Sequence, residues 1–267
     1  MLRLLINLDR AADRRAHMEA ELNKRGVDWE RVPAFDCREF EEGFVHGVYA
    51  KSSRVHQDPG SIGSFLTHRE CWRRLVESDE KHALILEDDL LFGEDSMRFL
   101  QDAAWLPETH EKCVVHLETF GRVTVVQDKP IASPGRHTLH LMHRLHHGSA
   151  AYLIHRETAE NALAASSDLN NVPDEFLFMP PPKNLFSQLP VLQVVPAPFV
   201  QEDIFERMGG AVAAHRSMIA ATRKGARKGW TQLRMKIAHS LGKRWTIVSG
   251  KLTDKARGRK TGIIAFK

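Results

Sequence analysis

The chain has 267 residues, of which 42% are hydrophobic and 27% charged, and its formal net charge is +4. This length and composition exclude a largely disordered chain and predict one large domain, or one domain with an appendage. The three cysteines, Cys37, Cys71 and Cys113, have no CxxC spacing, which argues against a disulfide scaffold or a cysteine zinc cluster and fits a reducing compartment. With no signal peptide and no 18-residue apolar run, we expect a cytoplasmic protein.

Charge is distributed unevenly along the chain. Residues 204–267 contain 16 Lys or Arg and two acidic residues, which leaves 22 basic and 32 acidic residues in 1–203. The first part therefore has a net charge of −10 and the second a net charge of +14. We expect an acidic globular domain over 1–203 and a basic tail over 204–267, each with its own role.

Short apolar segments alternate with helical segments in the first 203 residues. Strands are predicted at 2–8, 27–35, 83–86, 113–117, 150–154 and 191–195, and helices at 9–25, 61–78, 96–104 and 156–165. Residues 36–59 contain scattered Gly and Pro and are predicted to be mostly loop. This alternation predicts an α/β fold with a mostly parallel sheet and helices on both faces. In such sheets, ligands bind beyond the carboxyl ends of the strands.

Three consecutive carboxylates follow the predicted strand at 83–86: Glu87, Asp88 and Asp89. Buried without a cation they would repel one another, and their oxygen atoms suit Mg²⁺ or Mn²⁺, which bind one or two carboxylates together with substrate phosphates. Because side chains alternate along an extended chain, Glu87 and Asp89 point to the same side and are the predicted metal ligands. The alternative is a solvated acidic turn, or carboxylates that cap a helix before Leu90.

A second polar group follows the first predicted strand. Asn7 and Asp9 come at its end, and Arg10, Arg14 and Arg15 lie within about one and a half turns of the helix that follows. Arginine suits bidentate contacts with phosphate, and amides at a helix N-terminus add affinity for anions. This arrangement predicts a diphosphate site without a glycine-rich loop. The alternative is an exposed helix whose charged side chains pair with one another.

Five segments together resemble glycosyltransferase family 25, which includes lipooligosaccharide-biosynthesis enzymes and collagen galactosyltransferases. In chain order they are 6–15, 60–68 with Trp72, 83–89, 148–154 with Ala159, and 173–174. Ser64 and Thr67 depart from the family pattern, where Cys and Ser are usual, but both changes are small and leave His68 in place. The segment after Pro198 lacks a clear family ending.

The resemblance implies a GT-A-like nucleotide-sugar-binding fold, a nucleoside-diphosphate sugar donor and inversion at the anomeric carbon. It also implies transfer of a hexose, galactose in the family, to lipooligosaccharide or a related surface glycan. The residues assigned to the donor are Asn7, Asp9, Arg10, Arg14, Arg15, His68 and Asp88. Asp174, with its neighbour Glu175, is the candidate catalytic base that takes the proton of the acceptor hydroxyl. A helix N-cap at Asp174 and a satisfied core histidine at His68 are the alternatives.

Two other functions compete with glycosyl transfer. A metal-dependent phosphodiesterase or nuclease would use the acidic run for hydrolysis, and a non-catalytic relative would bind a nucleotide sugar or glycan without turnover. The order of the five segments favours transfer over hydrolysis. The complete run at 87–89 and the presence of Asp174 argue against a degenerate relative.

Five histidines fall within eleven residues: His137, His140, His143, His146 and His147. No nearby carboxylate or cysteine completes a set of metal ligands around them. We therefore predict structural roles for these side chains rather than a metal site.

The basic tail contains an apolar stripe with helical spacing, formed by Trp230, Leu233, Ile237, Leu241, Trp245, Val248 and Leu252. Basic residues occupy the remaining faces, and three glycines weaken a continuous helix. A basic amphipathic helix with two tryptophans is typical of an anionic membrane surface, so we expect peripheral association with the inner face of the cytoplasmic membrane and a glycan or lipid-linked acceptor. Packing on the acidic globule is the alternative, and nucleic-acid binding is expected least.

Overall fold

The computed structural model describes residues 1–179, 190–210 and 254–267. Within these ranges the strands are β1 (Leu2–Asn7), β2 (Glu30–Pro33), β3 (His82–Glu87), β4 (Leu90–Phe92), β5 (Val114–His116), β6 (Glu118–Thr119), β7 (Val123–Gln127), β8 (Thr138–Leu141), β9 (Ala151–His155), β10 (Val191–Val195), β11 (Phe199–Gln201) and β12 (Arg259–Ile263). The helices are α1 (Ala12–Lys24), α2 (Glu42–Ala50), α3 (Pro59–Glu77), α4 (Met97–Gln101), α5 (Arg156–Ala165), α6 (Pro173–Phe178) and α7 (Glu202–Arg207).

Seven strands form the main sheet, in the order β2-β1-β3-β9-β5-β10-β8. Strands β2, β1, β3, β5 and β10 run in one direction, whereas β9 and β8 run antiparallel to their neighbours. A mixed α/β fold with a mostly parallel sheet is therefore confirmed. The exception at the centre is β9, which lies antiparallel between β3 and β5. Two small sheets, β4-β11-β6 and β12-β7, accompany the main one.

The core lies on both faces of the main sheet because successive side chains of its strands point in opposite directions. On β3, Leu84 and Leu86 pack in a cluster with residues of α1 and α4, including Met18 and Phe99. Ala83 and Ile85, which alternate with them on β3, join a second cluster with α3, α5 and α6, and Trp72 is fully buried there. Helices therefore cover both faces, as the alternation of predicted strands and helices indicates.

Local signals set the ends of the two longest helices. At the end of α1, Gly26 adopts a φ of +64° and donates its N–H to Asn23 O, while Val27 N–H donates to Leu22 O. These two bonds are the Schellman pattern, which favours glycine at the left-handed position. At the start of α3, the Asp58 side chain accepts from Ser61 N–H, and a proline occupies the first turn.

Helix α2 lies in a region that was predicted to be loop. Residues 42–50 form α2, although Gly43 and Gly47 lower its helix propensity and the region was predicted to be loop. Tertiary contacts explain the difference, because Val48 is buried and the Tyr49 hydroxyl donates to the backbone O of Gln57 at 2.5 Å.

The end of the chain belongs to the folded part of the protein. Strand β12 pairs antiparallel with β7, Ile264 is buried, and its carbonyl accepts from Thr119 Oγ1 at 2.6 Å. The predicted helical tail is therefore wrong for residues 259–263, because this segment completes the backbone hydrogen bonds of β7. Helix α7 also crosses the predicted boundary after residue 203. The apolar stripe between Trp230 and Leu252 lies outside the described residues.

Helices of the described part of the chain are all too short or too polar to span a lipid bilayer.

Candidate active site

Polar residues meet where β1 and β3, which are parallel neighbours, reach their carboxyl ends. Asn7 is buried there, and its Nδ2 donates to Asp88 Oδ2 at 2.6 Å while its Oδ1 accepts from Nε and Nη2 of Arg31 at 3.1 and 3.0 Å. Nη1 of Arg14, on α1, lies 3.1 Å from Asp88 Oδ1. Burial raises the pKa of Asp88, and Arg14 and Asn7 partly offset that effect. Asn7 and Arg14 therefore fix Asp88 in place.

Asp89 is buried beside this network with one oxygen unused. Its Oδ2 lies 3.9 Å from Nη1 of Arg14, whereas its Oδ1 has no hydrogen-bond partner within the described ranges. Burial, followed by the charges of Glu87 and Asp88, raises the pKa of Asp89 well above its ordinary value. Burial of the Asp89 carboxylate costs solvation free energy, and no cationic side chain of the described residues fully offsets this cost.

A second buried carboxylate faces the same region from β6. Glu118 is fully buried, its Oε1 accepts from Ala150 N–H at 2.5 Å, and its Oε2 has no partner among the residues described. Burial, then the charges of Glu87 and Asp89, raises the pKa of Glu118 well above its ordinary value. These unpartnered oxygens are the feature that suits a divalent cation.

The carboxylates offer such a cation at most a pair of ligands in this arrangement. No three of them bring their oxygen atoms within 4.8 Å of one another in the described part of the chain. Mg²⁺ and Mn²⁺ commonly bind one or two carboxylates and complete their coordination with water and substrate phosphates. The unpartnered oxygens of Asp89 and Glu118 therefore suit an ion that is shared with a phosphorylated substrate. That Glu87 and Asp89 are its ligands stays a prediction.

His68 connects the acidic run to the core on the α3 side of the sheet. Trp72 Nε1 donates to the Tyr152 hydroxyl at 2.9 Å, and that hydroxyl lies 2.9 Å from His68 Nδ1. Because the hydroxyl already accepts from Trp72, we assign its own hydrogen to the bond with Nδ1, which leaves the His68 hydrogen on Nε2. Nε2 lies 3.3 Å from Glu87 Oε1 and donates to it. His68 is thus both a satisfied core histidine and a contact of the predicted metal ligand.

Asp174 lies in the first turn of α6 and not at its N-cap, which is Val172. Its Oδ2 lies 3.2 Å from His147 Nδ1 and accepts from Gly148 N–H at 3.1 Å, while Oδ1 accepts from Glu175 N–H. Burial acts to raise the pKa of Asp174, but the hydrogen bonds outweigh it, and the pKa lies below its ordinary value. The side chain is an oriented, ionised carboxylate.

Gly148 joins the two carboxylate sites. Its φ is +95°, and a Cβ at this position would lie 2.7 Å from Glu118 Oε1. Its N–H donates to Asp174 and its carbonyl lies 2.9 Å from His116 Nε2. Both the backbone conformation and the close approach of Glu118 require glycine here.

The structure brings together six of the predicted site residues around the carboxyl ends of β1 and β3: Asn7, Arg14, His68, Glu87, Asp88 and Asp89. Four others have different partners or exposed positions. Asp9, whose side chain is 82% exposed, accepts from Arg31; Arg10 pairs with Asp36. Arg15 pairs with Glu19, and Glu175 is exposed. Arg14 and Arg15 point in different directions because successive residues of α1 turn by about 100°, and Arg10 lies in the turn before α1 begins.

The clustered histidines have protein partners, as predicted. His137 and His140 donate to the backbone carbonyls of Pro196 and Gln127, each at 2.7 Å. His143 and His146 bond the side-chain oxygens of Gln127 and Gln193, respectively. His147 also has a protein partner, but that partner is the candidate base Asp174, and the sequence did not predict this contact.

Sequence reasoning missed three residues of this region besides His147 and Tyr152. Glu118 directly follows the predicted strand at 113–117. The expectation that ligands bind beyond the carboxyl ends of strands, which singled out Glu87, therefore also applied to Glu118. Arg31 holds Asn7 from the neighbouring strand β2, a contact that only the sheet order shows. Asp203 raises the pKa of Asp89 by its charge, next to Glu202, whose N–H donates to Asp89 O. No sequence signal marked Asp203.

Comparison with known proteins identifies the family of this chain. The family model described as glycosyltransferase family 25 (LPS biosynthesis protein) matches residues 1–178. The chain belongs to glycosyltransferase family 25. Membership favours glycosyl transfer over the phosphodiesterase alternative.

Three relatives show how far the similarity extends. The lacto-N-neotetraose biosynthesis glycosyltransferase LgtE of Neisseria gonorrhoeae is 29% identical over 74% of this chain and 73% of its own length. LgtB of the same organism is 27% identical over 84% of this chain and 82% of its own. The lipooligosaccharide biosynthesis protein lic2B of Haemophilus influenzae is 27% identical over 74% of this chain and 75% of its own. This family 25 chain is therefore a glycosyltransferase.

Proposed function

We propose that this glycosyltransferase has a GT-A-like nucleotide-sugar fold and moves a hexose from a nucleoside-diphosphate sugar to lipooligosaccharide or a related surface glycan. The resemblance to the family suggests galactose as the hexose. The transfer inverts the anomeric carbon and uses a divalent metal. The observation that carries the proposal is the unpartnered oxygen of buried Asp89, which lies beside Arg14 in the acidic run at the end of β3; buried Glu118, also with an unpartnered oxygen, lies close enough for the charge of Asp89 to act on it. The names of the relatives support a lipooligosaccharide acceptor.

The donor would bind at the carboxyl ends of β1 and β3. Glu87 and Asp89 would hold Mn²⁺ or Mg²⁺, which when bound offsets the negative charge that develops on the departing diphosphate. Arg14 lies beside Asp88 and Asp89, and its Nε has no partner among the described residues, so it retains a donor for a phosphate oxygen. His68 holds Glu87, and Asn7 holds Asp88, so both carboxylates keep their orientation before the donor arrives.

The acceptor would bind on the side of Asp174. Inversion requires the acceptor hydroxyl to attack the face of the sugar opposite the leaving diphosphate, and a base must take its proton. Asp174 suits this role because His147, Gly148 and Glu175 hold it ionised and in one orientation. The hydrogen bonds fix the orientation of Asp174 and stabilise its ionised form. The same bonds lower the pKa of Asp174, which makes the carboxylate a weaker base.

The charge distribution supports association with an anionic membrane. Residues 204–267 are strongly basic, and a lipid-linked acceptor lies at a membrane surface. Each basic residue near such a surface contributes about 1 kcal/mol. We therefore place the enzyme peripherally at the inner face of the cytoplasmic membrane.

An assay of hydrolysis and transfer across a panel of nucleoside-diphosphate hexoses tests the proposal. The purified chain is incubated with each donor and a lactose- or glucose-terminated acceptor, with Mn²⁺ or with excess chelator, and the anomeric configuration of the product is read by NMR. We expect Mn²⁺-dependent transfer of galactose with inversion. Retention, or full activity in chelator, contradicts the mechanism, and a preference for another hexose contradicts the donor assignment.

A further inference from the structure

Two histidines face each other at the end of the main sheet opposite the acidic run. His82 begins β3, His155 ends β9, and the two are direct partners in the antiparallel ladder, with ring centroids 5.1 Å apart. Glu111, in the connection that leads into β5, lies beside them. One ligand atom from each of the three residues lies within 4.8 Å of the other two, and this is the one such group of His, Cys, Asp or Glu in the described part of the chain.

His82 presents a buried ring nitrogen that no group of the described residues uses. The residue is 7% exposed, and its Nε2 has no hydrogen-bond partner in residues 1–179, 190–210 or 254–267. A neutral imidazole carries a lone pair on one of its two nitrogens, and that nitrogen is the atom that binds a metal. The unpartnered Nε2 of His82 is therefore available as a ligand.

The other two ligands have partners that an ion can displace. His155 Nδ1 accepts from Glu157 N–H at 3.2 Å, the N-cap bond of α5, so an ion bound to this ring replaces one capping hydrogen bond. Lys81 Nζ lies 3.2 Å from Glu111 Oε1, and its side chain is 75% exposed and free to turn into solvent. Clefts of about 540 and 320 Å³, lined by His82 with Glu111 and by His155, give access from two sides.

We propose that His82, Glu111 and His155 bind a divalent cation of the zinc class, at a site separate from the carboxylates of the active site. Two imidazoles and one carboxylate are a donor set that zinc accepts, whereas Mg²⁺ and Mn²⁺ prefer oxygen ligands. At bond lengths of about 2.0–2.2 Å, two ligands of one ion lie no more than ~4 Å apart, so the three side chains close slightly around it. The bound ion ties the start of β3, the end of β9 and the connection into β5.

Zinc stoichiometry of the full chain tests this site. The protein is stripped with chelator and dialysed against micromolar Zn²⁺ at pH 7.5 in excess Mg²⁺, which occupies the oxygen-rich active site, and bound zinc is measured by elemental analysis. We expect one zinc per chain in the wild type. His155→Gln and Glu111→Gln should weaken binding at least tenfold, by analogy with the 10–100-fold losses when metal-site hydrogen bonds are removed. His82→Gln should do the same where the variant folds.

Two control variants locate the zinc. His46→Gln changes an exposed histidine of α2, and Asp89→Asn changes the active site; both should retain one zinc. Zinc at about 100 times its Kd should also raise the Tm of the wild type by on the order of 5 °C, but not that of His155→Gln or Glu111→Gln. The inference is overturned if the wild type takes up no zinc, if His155→Gln and Glu111→Gln bind it as the wild type does, or if Asp89→Asn abolishes binding.

Discussion

Nδ1 of His147 lies 3.2 Å from Oδ2 of Asp174, and the N–H of the next residue, Gly148, donates to the same oxygen. Two adjacent residues of one loop therefore set both the direction and the ionisation of the candidate base. Gly148 also approaches Glu118 so closely that no side chain fits between them. The loop thus connects the candidate base to the buried carboxylates of the donor side.

Replacing Asp174 tests its role as the base. Asp174→Asn should lower kcat by a factor on the order of 10²–10⁴, because general base catalysis is lost, while donor affinity stays nearly unchanged. Steady-state kinetics with both substrates varied separates the two effects. A collapse of donor affinity would assign Asp174 to the donor site, and a large loss of kcat in Glu175→Gln alone would make Glu175 the base.

Replacing His147 should move the pH profile of the reaction. His147→Ala removes one hydrogen bond that favours the ionised form of Asp174, so the pKa of Asp174 should rise towards or above its ordinary value. The base is then protonated at a higher pH, and the acid limb of the kcat/KM profile should shift to higher pH. An unchanged acid limb with a lower plateau would show that His147 does not act through Asp174.

A series of hydrogen bonds runs from Trp72 through Tyr152 and His68 to Glu87. Breaking it at Tyr152 should change both the stability of the protein and the Mn²⁺ concentration that the reaction needs. Tyr152→Phe leaves Trp72 Nε1 and His68 Nδ1 without their partner, which should reduce the free energy of unfolding by about 1–3 kcal/mol. Because His68 is then free to change its tautomer, Glu87 loses its fixed donor, and the Mn²⁺ concentration for half-maximal activity should rise.

The second tyrosine of the chain provides a matched control for that experiment. Tyr49→Phe also removes a hydroxyl that donates a hydrogen bond, to Gln57 O, but this bond does not involve the acidic run. It should change stability without changing the Mn²⁺ dependence. Equal shifts in Mn²⁺ dependence for the two variants would mean that the connection to Glu87 has no special effect.

The sequence predicted the site residues that directly follow a strand. It missed the residues that other strands and helices bring to the same place in the folded protein. The strand at Val191–Val195 and the helix at Arg156–Ala165 match their predicted bounds, because their apolar patterns are strong. Asn7 and the run at 87–89 meet because β1 and β3 are parallel neighbours. Arg31 and Asp203 reach the same region from β2 and α7, and a position of that kind follows from sheet order and chain path rather than from a local pattern.

The three arginines predicted to bind phosphate, of which Arg14 and Arg15 lie on α1 and Arg10 precedes it, show the same limit. Arg14 reaches Asp88, whereas Arg10 and Arg15 pair with acidic residues elsewhere on the surface. The position of all three arginines at the start of the first predicted helix predicted three phosphate ligands. Which side of α1 faces the sheet is decided by the burial of Met18 and Leu22, and Arg14 lies one turn before Met18.

Binding to lipid vesicles tests the basic segment. The full chain should bind anionic but not neutral vesicles, and binding should weaken as salt rises, because exposed charges are screened beyond about 8 Å at physiological ionic strength. Tryptophan fluorescence should shift to the blue on binding, and Trp230→Ala with Trp245→Ala should remove most of that shift. Point variants are preferable to truncation after Asp203, which would also remove β12 from its partner β7. Failure to bind anionic vesicles at low salt would contradict membrane association.

Donor binding to wild type and Asp89→Asn, with and without Mn²⁺, tests the metal-assisted donor site most directly. Calorimetry with the best donor of the hexose panel should give Mn²⁺-dependent binding to the wild type and none to Asp89→Asn. The variant should remain folded, and its metal-free form should be stabilised by on the order of 1 kcal/mol, because one buried charge is removed beside Glu87 and Asp88. Equal donor affinity in excess chelator, or equal affinity in Asp89→Asn, would contradict the account.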